Sequence, residues 1–260
     1  MSPASTRARP APTGPAPVTI LVEPQLGENI GAAARAMWNF GLSELRLVGP
    51  RDGWPNPQAV AMASGAGRVL DAARVHGSTA EAVADLHFVY ATTARPREMA
   101  KTVMTPERAM AHARALIAGG SRVGVLYGRE RTGLENADVV RANAVVTVPV
   151  NPAFPSLNLA QCVLLMAYEW RRQEATEGSG PAEVAPGGRW QPAQAGEVAR
   201  MLDHLVGELE AARFFWPEAK RPAMEANLRN LLHRAPLTEQ DVRTLWGVVR
   251  ALAEGPKRRG

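Results

Sequence analysis

The chain has 260 residues, of which 46% are hydrophobic and 21% charged, with a formal net charge of +5 and a single cysteine. That length is enough to bury a real core, in one large domain or two smaller ones. Cys162 alone excludes an internal disulfide and a multi-cysteine metal site, the five histidines lack ligand spacing, and no apolar run reaches the roughly 18–20 residues of a bilayer span.

Residues 1–17, MSPASTRARPAPTGPAP, lack the hydrophobic segment of a secretory signal and read as a disordered Pro/Ala tail. With the cysteine count, this points to the cytoplasm. From Val18 onward, short apolar runs predict buried strands: VTILVE (18–23), LRLVG (45–49), HFVYATT (87–93), RVGVLYG (122–128) and AVVTVPV (144–150). Between the first two lies GENIGAAARAMWNFG (27–41), a helix that Asn29 can cap and Gly41 can end. Ile30, Ala33, Ala34, Met37 and Phe40 form its core stripe, while Arg35 stands on the other face beside Gly31, Ala32 and Asn39. A surface arginine is ordinarily just solvated. Its small neighbours, however, leave room for something to dock, and the helix begins where an α/β protein keeps its sites, at the carboxyl end of a strand.

A second helix is expected in PERAMAHARALIAG (106–119), and SLNLAQCVLLMAYEWRRQ (156–173) predicts a serine-capped helix apolar nearly all round. Residues 174–196, rich in Gly, Pro and Glu, read as a linker. Three helical patterns fill 197–254, the last with a Thr238/Asp241 capping box, and a basic tail closes the chain at 255–260. The fold class is therefore α/β. A mainly parallel sheet with helices on both faces occupies 18–173, and a small all-α module follows. Phe214, Phe215 and Trp216 read as core or domain-interface residues. The module's cations, among them Arg213, Lys220, Arg221, Arg229, Arg234, Arg243 and Arg250, are candidates for phosphate contacts beside the plainer reading of a solvated face.

Four segments follow strands directly and should meet at one sheet edge: EPQLGEN, ATTARPRE, YGRERTGLENAD and NPAFPSLNLA. Gly128 and Gly133 bracket RERT, so the backbone can approach closely there, and Glu130 is an acceptor held at the bend. Two prolines stiffen NPAFPSLN before Ser156 and Asn158 open a helix with free N–H groups, which suits a polar or anionic ligand. Taken singly, a glycine-bounded turn is more often structural, and Ser156 is readable as a mere cap. Cys162 and Met166 read as packing residues. No G-x-G-x-x-G follows the first strand, and there is no P-loop or G-x-S-x-G elbow.

NIGAAARAMWNFGLSELRLVGP, LYGRERTGL and VPVNPAFPSLNLAQCVLLMAYEW, in this order, resemble the three signature motifs of the SpoU branch of the SPOUT RNA 2′-O-ribose methyltransferases. The resemblance spans about residues 18–172, and the helical tail is similar to that of the tRNA-modifying TrmJ subgroup. It implies a C-terminal trefoil knot, a rare exception to unknotted folds, whose loops hold S-adenosylmethionine. By motif, the cofactor contacts fall on Thr92, Thr93, Ala94, Gly128, Val148, Pro155, Ser156 and Leu157. Pro155 stands where relatives often have a small polar residue, and it offers only its carbonyl. The polar catalytic positions fall on Asn29, Arg35, Glu130, Ser156 and Asn158. The resemblance also implies a tRNA substrate modified on cytidine or uridine at anticodon-loop position 32 and a homodimer, while methyl transfer needs no metal and the absence of a long apolar run speaks against a membrane partner. The apolar girth of the 156–173 helix independently favours a self-complementary pair. The rival readings are a ribosomal RNA methyltransferase of the same superfamily and a non-catalytic RNA-binding protein that keeps the fold.

Overall fold

The computed structural model describes residues 14–93, 101–174 and 191–254. Seven strands, β1 (Val18–Val22), β2 (Leu45–Val48), β3 (Arg74–His76), β4 (Phe88–Thr92), β5 (Thr102–Met104), β6 (Val123–Tyr127) and β7 (Ala144–Val146), form one sheet in the order β3-β2-β1-β6-β4-β7-β5. Every pairing is parallel. The five strands expected from apolar runs are the five interior ones. Buried on both faces, they have little need of alternation. β3 and β5 lie at the two edges with two of their three residues exposed, so neither has an apolar run to betray it.

The first helices are α1 (Gly27–Asn39), α2 (Pro57–Ala63), α3 (Gly67–Asp71), α4 (Thr79–Val83), α5 (Pro106–Ala118) and α6 (Asn136–Val140). Then come α7 (Leu159–Glu174), α8 (Ala195–Ala211), α9 (Arg221–His233) and α10 (Glu239–Glu254). Alternate residues of each strand feed two cores. Leu21, Tyr90, Val125 and Val146 pack with α1, α2, α3, α5 and α7, whereas Ile20, Val89, Leu126 and Val145 pack with α4 and α6 on the opposite face. β7 inserts between β4 and β5, so the late chain returns into the sheet, as the implied threading requires. No helix among the described residues is long and apolar enough to cross a membrane.

Two expectations about helix starts need correction. α1 begins two residues before Asn29, with Leu26 as its N-cap, so Asn29 lies inside the first turn. α7 begins at Leu159, and its first N–H groups are taken by the Asn158 side chain, with Ala160 N at 2.9 Å and Gln161 N at 3.3 Å from Oδ1, rather than by Ser156. The space beside Arg35 is also smaller than the sequence suggests. A Cβ on Gly31 would stand 2.2 Å from the carbonyl oxygen of Ala59, because α2 packs there. Gly31 thus serves helix–helix approach and not a ligand.

α8, α9 and α10 build a separate small core from Val198, Met201, Leu202 and Val242. The Thr238/Asp241 capping box forms, with Asp241 N donating to Thr238 Oγ1 at 3.2 Å and Thr238 N to Asp241 Oδ2 at 2.9 Å. The helices dock on the α4/α6 face. Ala195 N donates to Leu86 O at 2.7 Å, Gly196 N to Ala84 O at 2.9 Å, and Asn143 Nδ2 to His233 O at 2.9 Å. Phe215 is buried, but Phe214 and Trp216 are 52% and 81% exposed, against the expectation of core or interface. Arg221, Arg229, Arg243 and Arg250 each pair with a carboxylate of the module, which supports the solvated-face reading for those four.

His233 is buried where the module meets the sheet domain, and burial, with Lys101, Arg141 and Arg229 nearby, lowers its pKa to about 4. The folded value lies below the ordinary 6.5, so as pH falls the unfolded chain takes up this proton first. Stability is therefore complete above about pH 6.5 and drains between 6.5 and 4. We expect about 2 kcal/mol to be lost between pH 7 and pH 5 through this group, and His233→Gln to flatten that window in urea titrations. Identical pH slopes in the two proteins would refute it.

Candidate active site

The chain leaves β1 through Glu23, a non-glycine residue at φ 46°, in the left-handed region that costs about 1–2 kcal/mol. It then turns through Pro24–Leu26 into α1. No side chain of its own caps this helix. The cap comes from 105 residues away. Glu130, in the loop after β6, accepts hydrogen bonds from Gln25 N at 2.9 Å and Leu26 N at 3.2 Å. A carboxylate at a helix N-terminus also meets the positive end of the helix dipole. The same carboxylate accepts from Asn29 Nδ2 at 2.9 Å, and Asn29 Oδ1 accepts from Asn158 Nδ2 at 2.9 Å.

This relay has a fixed direction. At one end the Glu130 carboxylate only accepts, and at the other the Ala160 backbone N–H only donates to Asn158 Oδ1. Both amide orientations are thereby set, so three segments far apart in sequence lock together through Glu130, Asn29 and Asn158. Asn29 is buried, with both its amide nitrogen and its amide oxygen engaged in this relay.

The RERT loop is equally determined. Gly133 lies at φ 70°, and its N–H donates to Arg129 O at 3.0 Å across a tight bridge. A Cβ on Gly128 would stand 2.1 Å from Leu134 N. The close approach expected at these glycines is therefore between the two ends of the loop itself. Arg129 anchors the loop outward, its Nε 2.8 Å from Glu23 Oε2 and its Nη1 2.8 Å from Glu135 Oε1. These carboxylates raise the Arg129 pKa, most of all through the bond to Glu23.

Beyond the carboxyl ends of β4, β6 and β7 these loops enclose a cleft of about 460 Å³. Thr92, Thr93, Gly128, Glu130, Val148, Pro155, Ser156 and Leu157 all line it. Ala94 lies outside the described residues. Thr92 is turned inward, its hydroxyl donating to Leu126 O at 2.9 Å, so it ties β4 to β6. Ser156 is exposed, and its hydroxyl has no partner among the described residues. Arg35 does not line the cleft. It is exposed on α1, about two turns along from Asn29, with no ion pair among the described residues.

Sequence reasoning overlooked Arg131, Leu134 and Val146, which also line the cleft, and it placed Cys162 in the packing alone. Cys162 does both. It lines the cleft, yet burial pushes its thiol up to about 11, which makes it a poor nucleophile at neutral pH.

The model of the SpoU rRNA Methylase family matches residues 17–168. The chain belongs to the SpoU methylase family. Over 235 residues it is 33% identical to the tRNA (cytidine/uridine/adenosine-2′-O-)-methyltransferase TrmJ of Pseudomonas aeruginosa, covering 88% of this chain and 91% of that one. The tRNA (cytidine/uridine-2′-O-)-methyltransferase TrmJ of Klebsiella pneumoniae is 33% identical over 92% of this chain and 96% of its own. The crystal structure of TrmJ from Z. mobilis ZM4 superposes with a TM-score of 0.78 at 48% identity, covering 91% of this chain and 99% of that one. The SpoU match spans β1 to α7 and stops before α8, so it takes in every residue of the relay and cleft described above.

Proposed function

We propose that this protein transfers the methyl group of S-adenosylmethionine to a ribose 2′-hydroxyl of tRNA, on cytidine or uridine at anticodon-loop position 32. The observation that carries the reading is the Glu130–Asn29–Asn158 relay at the rim of the cleft. It brings the three motif segments into one rigid site. Similarity to TrmJ proteins along nearly the whole chain, α8–α10 included, favours tRNA over ribosomal RNA. Position 32 follows the resemblance to the TrmJ subgroup.

The residues present fit the cofactor. The volume lies within the roughly 300–1,000 Å³ of sites for ligands of this size. Leu134, Val146, Val148 and Leu157 offer apolar walls for a base, and the Ser156 hydroxyl is a free polar group. When bound, S-adenosylmethionine supplies an electrophilic methyl on a sulfonium. Pro155, Ser156, Leu157, Gly128 and Val148 would hold it. The relay fixes the N-terminal ends of α1 and α7 about the cleft, so transfer rests mainly on alignment. Arg35 is free to grip an RNA phosphate and to stabilise negative charge as the hydroxyl loses its proton. A guanidinium does this as a cation, with no need to act as the base.

The working unit is a cytoplasmic homodimer. Along α7, Leu159, Val163, Met166 and Trp170 are buried, but Leu164 and Tyr168 remain 39% and 47% exposed. A second copy would cover this strip. Light scattering at micromolar concentration should return about twice 27.9 kDa, and an active monomer would refute the pairing. The enzyme reading is tested by tritiated methyl transfer. Purified protein should label total tRNA and leave ribosomal RNA unlabelled, whereas cofactor binding without transfer to either would favour the non-catalytic alternative.

A further inference from the structure

The segment RERT places two arginines on either side of one glutamate, and the fold gives them opposite circumstances. Arg129 is 15% exposed and held between Glu23 and Glu135. Its charge is compensated within the protein, and it fixes the loop that presents Glu130. Arg131 lines the same cleft but is exposed, with no ion pair or hydrogen bond among the described residues. No ion pair or hydrogen bond joins it to its neighbour Glu130 among the described residues. Both Glu130 oxygens already accept from the start of α1, Oε2 from Gln25 N and Oε1 from Leu26 N and Asn29 Nδ2. An exposed, uncompensated guanidinium at the mouth of a cleft is suited to an oxyanion.

Two oxyanions come within the proposed reaction, an RNA phosphate and the carboxylate of the cofactor. Exposure favours the phosphate, because the RNA strand must approach from the solvent side on which Arg131 lies. Resting on the function proposed above, we infer that Arg131 is a substrate-binding residue. It holds a backbone phosphate of the strand that carries the target ribose, while Arg129 acts only as a positioning residue for the loop.

The experiment uses the full chain, total tRNA and S-adenosylmethionine. Wild-type methyl transfer to tRNA is measured first, and its absence would count against the proposed function without touching the binding comparison. Arg131→Gln should then reduce the slope of log affinity for tRNA against log salt by about one. It should also lower kcat/KM for tRNA about 10- to 100-fold, with cofactor Kd and melting temperature unchanged. Arg131→Lys should recover much of the loss, since a phosphate accepts a point charge. Arg129→Gln should show the opposite pattern, a lower melting temperature and weaker cofactor binding at an unchanged salt slope. If Arg131→Gln weakens cofactor binding and leaves the salt slope intact, the group held is the cofactor carboxylate and the inference is overturned. It is overturned equally if the variant matches wild type in every measurement, or changes melting temperature alone.

Discussion

Replacing Arg35 with alanine should remove most methyl transfer while leaving cofactor affinity nearly intact. Arg35 stands outside the cleft, exposed on α1, so no wall of the cofactor site depends on it. Its expected partners are an RNA phosphate and the charge that develops on the ribose oxygen. Removing one preorganised donor to a developing oxyanion typically lowers kcat by about 100- to 1,000-fold. Calorimetric titration with S-adenosylmethionine beside a tritiated-methyl assay separates the two effects. Near-normal turnover would return Arg35 to the status of a solvated surface residue.

Glu130→Ala should lower stability and activity together. Among the described residues, no side chain but this carboxylate caps α1, and its loss leaves the Gln25 and Leu26 N–H groups to solvent and the amide of a buried asparagine without its partner. Losing an N-cap costs about 0.5–2 kcal/mol, and the unpaired buried amide adds about 1–3 kcal/mol. With Asn29 released, Asn158 loses its partner and the start of α7 loses its tether to α1, so we expect methyl transfer to fall more than tenfold as well. Were Glu130 instead a proton acceptor in the reaction, Glu130→Gln, which keeps one acceptor oxygen for the relay, would abolish transfer while lowering the melting temperature less than Glu130→Ala. Thermal melts of both variants beside their turnover distinguish the two roles.

Much of the sheet was legible because its interior parallel strands are continuous apolar runs. β3 and β5 were not, since an edge strand of three residues with its side chains in water has no such run. The loops after β1, β6 and β7 were legible as a site because parallel topology puts strand ends on one edge. What escaped the sequence is who bonds to whom. Asn29 precedes an apolar helix and reads as its cap, but a carboxylate 101 residues away uses that asparagine differently. Gly31 beside Arg35 looked like open space, because α2 is short and weakly patterned and nothing announced that it would fill the gap. In RERT the two arginines are indistinguishable by type. Only the carboxylates of Glu23 and Glu135, brought in by the fold, tell Arg129 from Arg131.

The central claim is that this cleft serves ribose methylation of tRNA. It is tested most directly by mapping 2′-O-methylation, nucleotide by nucleotide, in tRNA from cells with and without the gene. The account predicts that methylation at pyrimidine 32 of the anticodon loop disappears in the deletion and returns with the wild-type gene but not with the Arg35→Ala gene. Unchanged tRNA methylation, with a ribose methyl missing from ribosomal RNA instead, would contradict it.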